Sequence, residues 1–287
     1  MRPRGAVLVL VLLLAPVAVA QHASHEEGTP DDKPAASASA SASSAKPVYT
    51  TRIAVPEKDG MLRIPGGRFT MGASDKMAAP NEKPAHTATA PAFFFDKTEV
   101  TVGAYTACVA ARSCDRPAKS SPKCTFDLDD SNLPVSCVRW QDALTYCRFV
   151  HKRLPREVEW EFAARGTTRA VYPWGGSQSA CVFAATLIRD NSGRSCTYGR
   201  PARVGSRTSG ASVFGVLDLS GNVEEWVQDW YAPGPSNVEP TSGASHVIRG
   251  GGWLSTPSTS RATSRNWGSA MEAGPNVGFR CAHDVTD

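Results

Sequence analysis

The chain has 287 residues, 41% of them hydrophobic and 20% charged, enough apolar content for a real core in one large domain or two. Its formal net charge of +4 is modest and spread along the sequence, with no basic run interleaved with aromatics, which argues against a nucleic-acid-binding surface. Eight cysteines, an even count, are consistent with four disulfides if the chain is exported.

Export is what the start of the chain predicts. Arg2 and Arg4 precede an apolar run from Ala6 to Ala15, and Ala18-Val-Ala20 offers a small-residue cleavage site. Residues 1–20 thus read as a signal peptide, too short and wrongly flanked for a membrane span. No cysteine follows the cleavage point to carry a lipid, and no other segment is apolar enough to cross a bilayer. A secreted or periplasmic protein in an oxidising compartment is expected. Residues 21–60 are polar and contain an alternating Ala/Ser tract at 35–45, which buries too little to offset its ordering entropy and reads as a flexible tether. The folded domain is expected over 61–287.

Met61 to Met71 alternates around Pro65-Gly66-Gly67 and predicts two short strands through a turn. Phe93 to Val100 predicts another strand, and Thr101 can cap a helix from Val102 to about Ala111. Pro134 to Trp140 is again strand-like. Ala143, Leu144, Cys147 and Val150 then lie on one helical stripe. A further helix runs from Pro155 to Arg165, where Gly166 stops it. Beyond Trp174 the chain is rich in Gly, Pro and Ser and poor in long periodic runs. Propensity alone gives a loop-rich α+β fold.

One acidic turn lies between apolar flanks in Gly215-Val-Leu-Asp-Leu-Ser-Gly-Asn-Val-Glu-Glu-Trp-Val-Gln-Asp-Trp230. Asp218 and Glu225 bracket Gly221-Asn222, a pair that favours positive φ and outward carbonyls. Two carboxylates with free carbonyls suit Ca²⁺, although the same acids could simply be solvated. The alternating acids of an EF-hand are absent. Trp226 and Trp230, four apart, would share one face of a helical turn.

This stretch resembles the Gly-x-x-Asp-(Met/Leu)-x-Gly-Asn-Val-x-Glu-Trp signature of the formylglycine-generating (sulfatase-modifying factor) family. Four further pieces follow in that family's order: Arg63-Ile-Pro-Gly-Gly-x-Phe-x-Met-Gly72, Arg153-Leu-Pro-x-Glu-x-Glu-Trp-Glu-Phe-Ala-Ala-Arg-Gly166, Tyr172-Pro-Trp-Gly175, and Arg249-Gly-Gly-Gly-Trp253 with Gly278-Phe-Arg-Cys281. The resemblance implies a loop-rich, C-type-lectin-like α+β variant. It implies a Cys147–Cys281 disulfide and a calcium site built from Asp218, Glu225 and carbonyls such as those of Gly221 and Val223. A second calcium site of relatives is lost, because its Asp position falls on Cys196. Two positions depart from the family: Arg156 replaces a Thr or Ser helix cap, and Glu224 replaces the usual aromatic before Glu225-Trp226. Cys181 and Cys196, near neighbours on one loop, are expected to pair. Cys108, Cys114, Cys124 and Cys137 allow three pairings, of which we expect Cys108–Cys137 around Cys114–Cys124.

Active members of the family oxidise a client cysteine to formylglycine with O₂ and Cu(I) held between two cysteines. Those two positions are Ser255 and Ser260 here. Cu(I) prefers thiolate, and a neutral hydroxyl cannot replace it, so no copper is expected. The six histidines show no His-x₃-His or His-Glu-x-x-His spacing, and neither a phosphate-cradling glycine loop nor a Gly-x-Ser-x-Gly elbow occurs. What remains around the old site is Trp253 and a hydroxyl- and guanidinium-rich segment with Ser255, Ser260, Arg261 and Arg265. In active relatives this segment borders a groove for an extended peptide, and Arg suits carboxylate ends and carbonyl-rich chains. Two functions follow. One is a non-catalytic module binding a peptide, protein or glycan in a vestigial groove. The other is a diverged formylglycine-generating-type oxidase.

Overall fold

Ordered packing begins before residue 61. In the computed structural model, which describes residues 52–176, 181–189, 193, 195–235 and 240–285, the Ile53 N–H donates to the Val213 carbonyl at 2.9 Å. Strand β1, Glu57–Lys58, pairs antiparallel with β2, Met61–Ile64. Residues 52–60, which composition assigned to the tether, therefore belong to the fold. The described residues all lie in one compact unit spanning 45–287, and the expected leader at 1–20 and the Ala/Ser tract fall outside them.

The alternating run after Pro65 does form β3, Gly67–Met71, but β2 and β3 join different sheets. Strand β3 pairs with β4, His86–Ala90, while β2 pairs with β5, Phe93–Asp96. Phe93 and Phe95 point inward on β5 and are fully buried, as a period of two requires. The last strand, β10 at Ala282–Asp284, closes this sheet in the order β1-β2-β5-β10. A second four-stranded sheet has β6, Glu224–Trp230, between β7, His246–Arg249, and β9, Val277–Phe279, with β8, Arg265–Gly268, outside β7. Its β6–β9 pair is parallel and its other pairs are antiparallel. Trp226 and Trp230 thus lie on a strand and not on a helical turn. Trp226 donates its indole N–H to the Val138 carbonyl at 2.9 Å, and Trp230 stacks on the His246 ring at 3.8 Å.

Three helices are found among the described residues. Helix α1, Val102–Ala110, starts at Thr101, whose hydroxyl accepts the Ala104 N–H at 3.1 Å. Helix α2, Trp140–Phe149, buries Ala143 and Cys147 of the expected stripe. Residues 134–139 form only one isolated bridge, Thr101 to Pro134, because Cys137 adopts φ 63° and breaks the extended run. Helix α3, Glu157–Arg165, has Arg156 at its N-cap, a side chain with no oxygen to offer. Two carboxylates replace it: Glu159 accepts the Arg156 N–H at 2.8 Å and Asp229 accepts the Glu157 N–H at 2.7 Å. The positive end of the helix is capped from within and from β6.

All eight cysteines are paired. Cys147–Cys281 and Cys181–Cys196 form, but the other two bonds are Cys108–Cys114 and Cys124–Cys137, not the nested pair. The chain reverses at Arg112, φ 58°, directly after α1, which brings Cys114 back to Cys108. Cys124 and Cys137 bracket a reciprocal contact in which the Thr125 N–H donates to Ser136 Oγ and the Ser136 N–H to Thr125 Oγ1. Cys147–Cys281 ties α2 to the segment between β9 and β10 across 134 residues of sequence. Peptide mapping without reduction is expected to recover these four links and no alkylated cysteine. Removing Cys147–Cys281 by double alanine substitution should cost roughly 2–5 kcal/mol in denaturant unfolding.

Candidate functional site

A groove of about 550 Å³ opens where β7 ends. Its floor is Ile248, Gly250 and Gly251; one wall is the segment from Leu254 to Thr259, and another holds Glu224 and Asn266. Met77 and Ala79, from the loop between β3 and β4, rim the far side. Gly251 has φ 65°, and a Cβ there would lie 2.5 Å from Ser260 Oγ, so only glycine lets the floor pass this close to the wall.

The two serines at the expected copper positions serve the loop itself. Ser255 Oγ accepts the Gly252 N–H at 2.9 Å, and Ser260 Oγ donates to the Thr256 carbonyl at 3.0 Å. Ser255 lines the groove, whereas Ser260 is fully buried. Their hard, engaged oxygens do not fit Cu(I), and no thiolate is free to replace them, since every cysteine is disulfide-bonded.

The guanidinium groups proposed to face a ligand are also committed. Arg261 is buried and pairs with Glu82, which accepts a further bond from the Thr263 hydroxyl at 2.7 Å. Arg265 clamps Glu157 with two bonds, at 2.7 and 2.9 Å. Arg249 bridges Glu157 at 2.8 Å and Glu161 at 2.7 Å, and Arg165 meets Glu161 at 2.7 Å. The acidic residues of Arg153-Leu-Pro-Arg-Glu-Val-Glu-Trp-Glu are therefore structural: Glu157 holds Arg265 of the groove together with Arg249, Glu161 holds Arg249 and Arg165, and Glu159 pairs with Arg153. Burial by itself would raise the Glu157 carboxyl, but Arg249 and Arg265 outweigh it and hold the group below its ordinary value. Trp253 is buried as well, its indole N–H on the Pro275 carbonyl at 3.0 Å, and does not line the groove.

Glu224 is the lining residue that pattern reading missed, although the sequence had marked it as a departure. Asn266 Nδ2 lies 3.2 Å from both of its oxygens. Burial raises its carboxyl above the ordinary value, against the hydrogen bonds from Asn266 and Asn276.

At the acidic turn, Asp218 has φ 61° and accepts the Gly205 N–H at 2.6 Å. Both Glu225 oxygens are engaged, by Arg280 at 2.7 and 2.8 Å and by the Trp160 indole N–H at 2.8 Å. A third carboxyl, Glu99, is buried beside Asp218; no N–H or hydroxyl donor of another residue reaches its oxygens, and a proton held by the pair would hydrogen-bond Glu99 to Asp218. Three buried carboxyls thus cluster around Arg280, with Arg207 also acting on Asp218. Desolvation, reinforced by the Asp218 charge, pushes Glu99 well above the usual carboxylate range. Among the described residues no three His, Cys, Asp or Glu side chains converge to hold a metal by themselves. Glu225, expected to hold calcium with Asp218, is already engaged by Arg280 and Trp160, which leaves Asp218 and Glu99 as the carboxyls of this turn that could meet a hard cation.

A family model, the sulfatase-modifying factor enzyme 1-like domain, matches residues 48–285. The chain belongs to this family. It is 29% identical to the formylglycine-generating enzyme of Streptomyces coelicolor, over 79% of this chain and 90% of that one. It is 27% identical to the inactive C-alpha-formylglycine-generating enzyme 2 of Mus musculus, over 77% and 85%. The structure of PvdO from Pseudomonas aeruginosa superposes with a TM-score of 0.67 at 27% identity, covering 78% of this chain and 94% of that one. The domain also matches the serine/threonine-protein kinase Pkn1 of Chlamydia trachomatis, but spans only 38% of that protein. Family members of this fold thus include one named as an enzyme and one named as inactive.

Glu157→Gln is expected to destabilise the protein by about 3–5 kcal/mol in urea, because it leaves two buried guanidiniums short of charge. Ser255→Ala should cost about 1 kcal/mol, the value of one hydrogen bond. Since Glu157 is held below its ordinary value, its contribution is complete at neutral pH and is lost as the pH falls through the carboxylate range. The gap between wild type and Glu157→Gln should therefore narrow below about pH 4.3.

Proposed function

We propose that this protein is a non-catalytic recognition module of the sulfatase-modifying factor family, holding an extended peptide or glycan in the groove beside Ser255 and Asn266. One observation carries the reading: both thiolate positions are hydroxyls that already satisfy the loop's own backbone groups. The groove survives without the copper chemistry. Four disulfides support an oxidising compartment outside the cytoplasm. No helix among the described residues is long and apolar enough to cross a membrane. A relative named as inactive shows that the family admits members without the activity.

The test is a Cu(I) competition titration beside a mass-spectrometric assay on a cysteine-bearing sulfatase peptide, for wild type and for Ser255→Cys/Ser260→Cys. Wild type should neither bind Cu(I) tightly nor yield formylglycine, and the double variant should regain copper binding at most. Turnover by the wild type would overturn the reading.

Calcium belongs to the same proposal, held by Asp218 and Glu99 with the Gly221 and Val223 carbonyls. When bound it would offset the excess of buried negative charge around Arg280. An ion that binds only the folded state stabilises it by mass action. Chelation should therefore lower the melting temperature, and Asp218→Ala should abolish that response. An unchanged melting curve on chelation would show that the turn holds no ion.

A further inference from the structure

The guanidinium-rich sequence around the groove suggests an acidic ligand, but the folded groove has the opposite charge. Arg261 and Arg265 are buried and neutralised by Glu82 and Glu157. The remaining ionisable group in the lining is Glu224, at the start of β6. Among the described residues it forms no ion pair, and its oxygens meet the neutral amides of Asn266 and Asn276. The resemblance predicts an aromatic at this position, where this chain carries a carboxylate.

We propose that Glu224 is the specificity-determining residue of the groove and reads a basic side chain, lysine or arginine, in a bound peptide segment. The proposal rests on the groove reading given above. A half-buried carboxylate whose partners are the neutral amides of Asn266 and Asn276 is under-neutralised, and a charge-assisted bond from an ammonium or guanidinium is the strongest contact it can gain. The surroundings suit the rest of such a residue. Met77 is 64% exposed and Leu254 39% exposed on the rim, apolar surface for an alkyl stem to cover. The exposed hydroxyls of Thr256, Ser258 and Thr259 bond one another and the Thr256 carbonyl, and their remaining lone pairs can accept from a peptide backbone. A glycan fits less well. The apolar face of a sugar ring stacks best on an exposed aromatic ring, and the groove lining contains none.

A random linear peptide library displayed on phage, selected on the immobilised protein, tests this. Wild type should enrich Lys or Arg at one position. Glu224→Gln, which keeps an acceptor for Asn266, should lose that preference, and Glu224→Lys should replace it with Asp or Glu. A synthetic peptide from the wild-type selection should lose about tenfold in affinity on Glu224→Gln, the order expected for removing one charge-assisted bond. Replacing its basic residue by Gln should weaken binding to the unaltered protein equally, a readout that holds even if the variant folds poorly. Peptides enriched without a basic preference would overturn the role of Glu224 and leave the groove reading intact. Failure to enrich any peptide, with oligosaccharides captured on a glycan array, would overturn the peptide assignment itself.

Discussion

The buried pairing of Arg249 with Glu157 and Glu161 is the constraint on which the groove depends. Arg249 ends β7, both acids lie on α3, and the guanidinium also donates to the Ala262 carbonyl at 2.8 Å on the far side of the groove wall. One side chain thus fixes a strand end, a helix and the returning loop. Its guanidinium lies 5.1 Å over the Trp160 ring, which in turn bonds Glu225. Buried ion pairs add little net stability relative to apolar packing, yet losing one partner is costly. The network therefore acts mainly to fix position, and α3 carries its acids at one-turn spacing for that purpose.

That network explains why the charge of the groove is opposite to the charge of its sequence. Arginines needed to anchor the wall cannot also face a ligand, because each guanidinium already has its carboxylate. Glu224 has no such counterion among the described residues, which is why the proposed basic contact falls on it. Ser255 and Ser260, at the positions where the family resemblance places thiolates, follow the same logic. Each hydroxyl makes a short-range bond to its own loop, which helps hold the groove wall in shape.

At the Asp218 turn the balance is unequal in the other direction. Arg280 donates to both Glu225 oxygens and to the Leu217 carbonyl, yet Glu99 and Asp218 remain close by within the core. Burial is what raises both carboxyls, with the neighbouring Asp218 and Glu225 charges adding to it at Glu99. A hard cation or a retained proton would each relieve the imbalance.

Much of this protein was legible in one dimension. Thr101 before an apolar run starts a helix because its hydroxyl can reach the third amide; Gly166 ends one because only glycine accepts the required φ cheaply. The signature pieces identified the family, and with it Cys147–Cys281, which no local rule would pair across 134 residues. Local rules failed where the partner of a group lies far along the chain. Trp226 and Trp230 were read by helical spacing, but pairing of β6 with β7 and β9 decides that they sit on a strand. Cys108 found Cys114 because Arg112 turns the chain, a backbone event that composition does not encode. Above all, sequence supplied the arginines and acids but not their pairing. Whether a charge faces solvent or its counterion depends on contacts between residues up to 179 positions apart, as for Glu82 and Arg261, and only the tertiary structure makes those contacts.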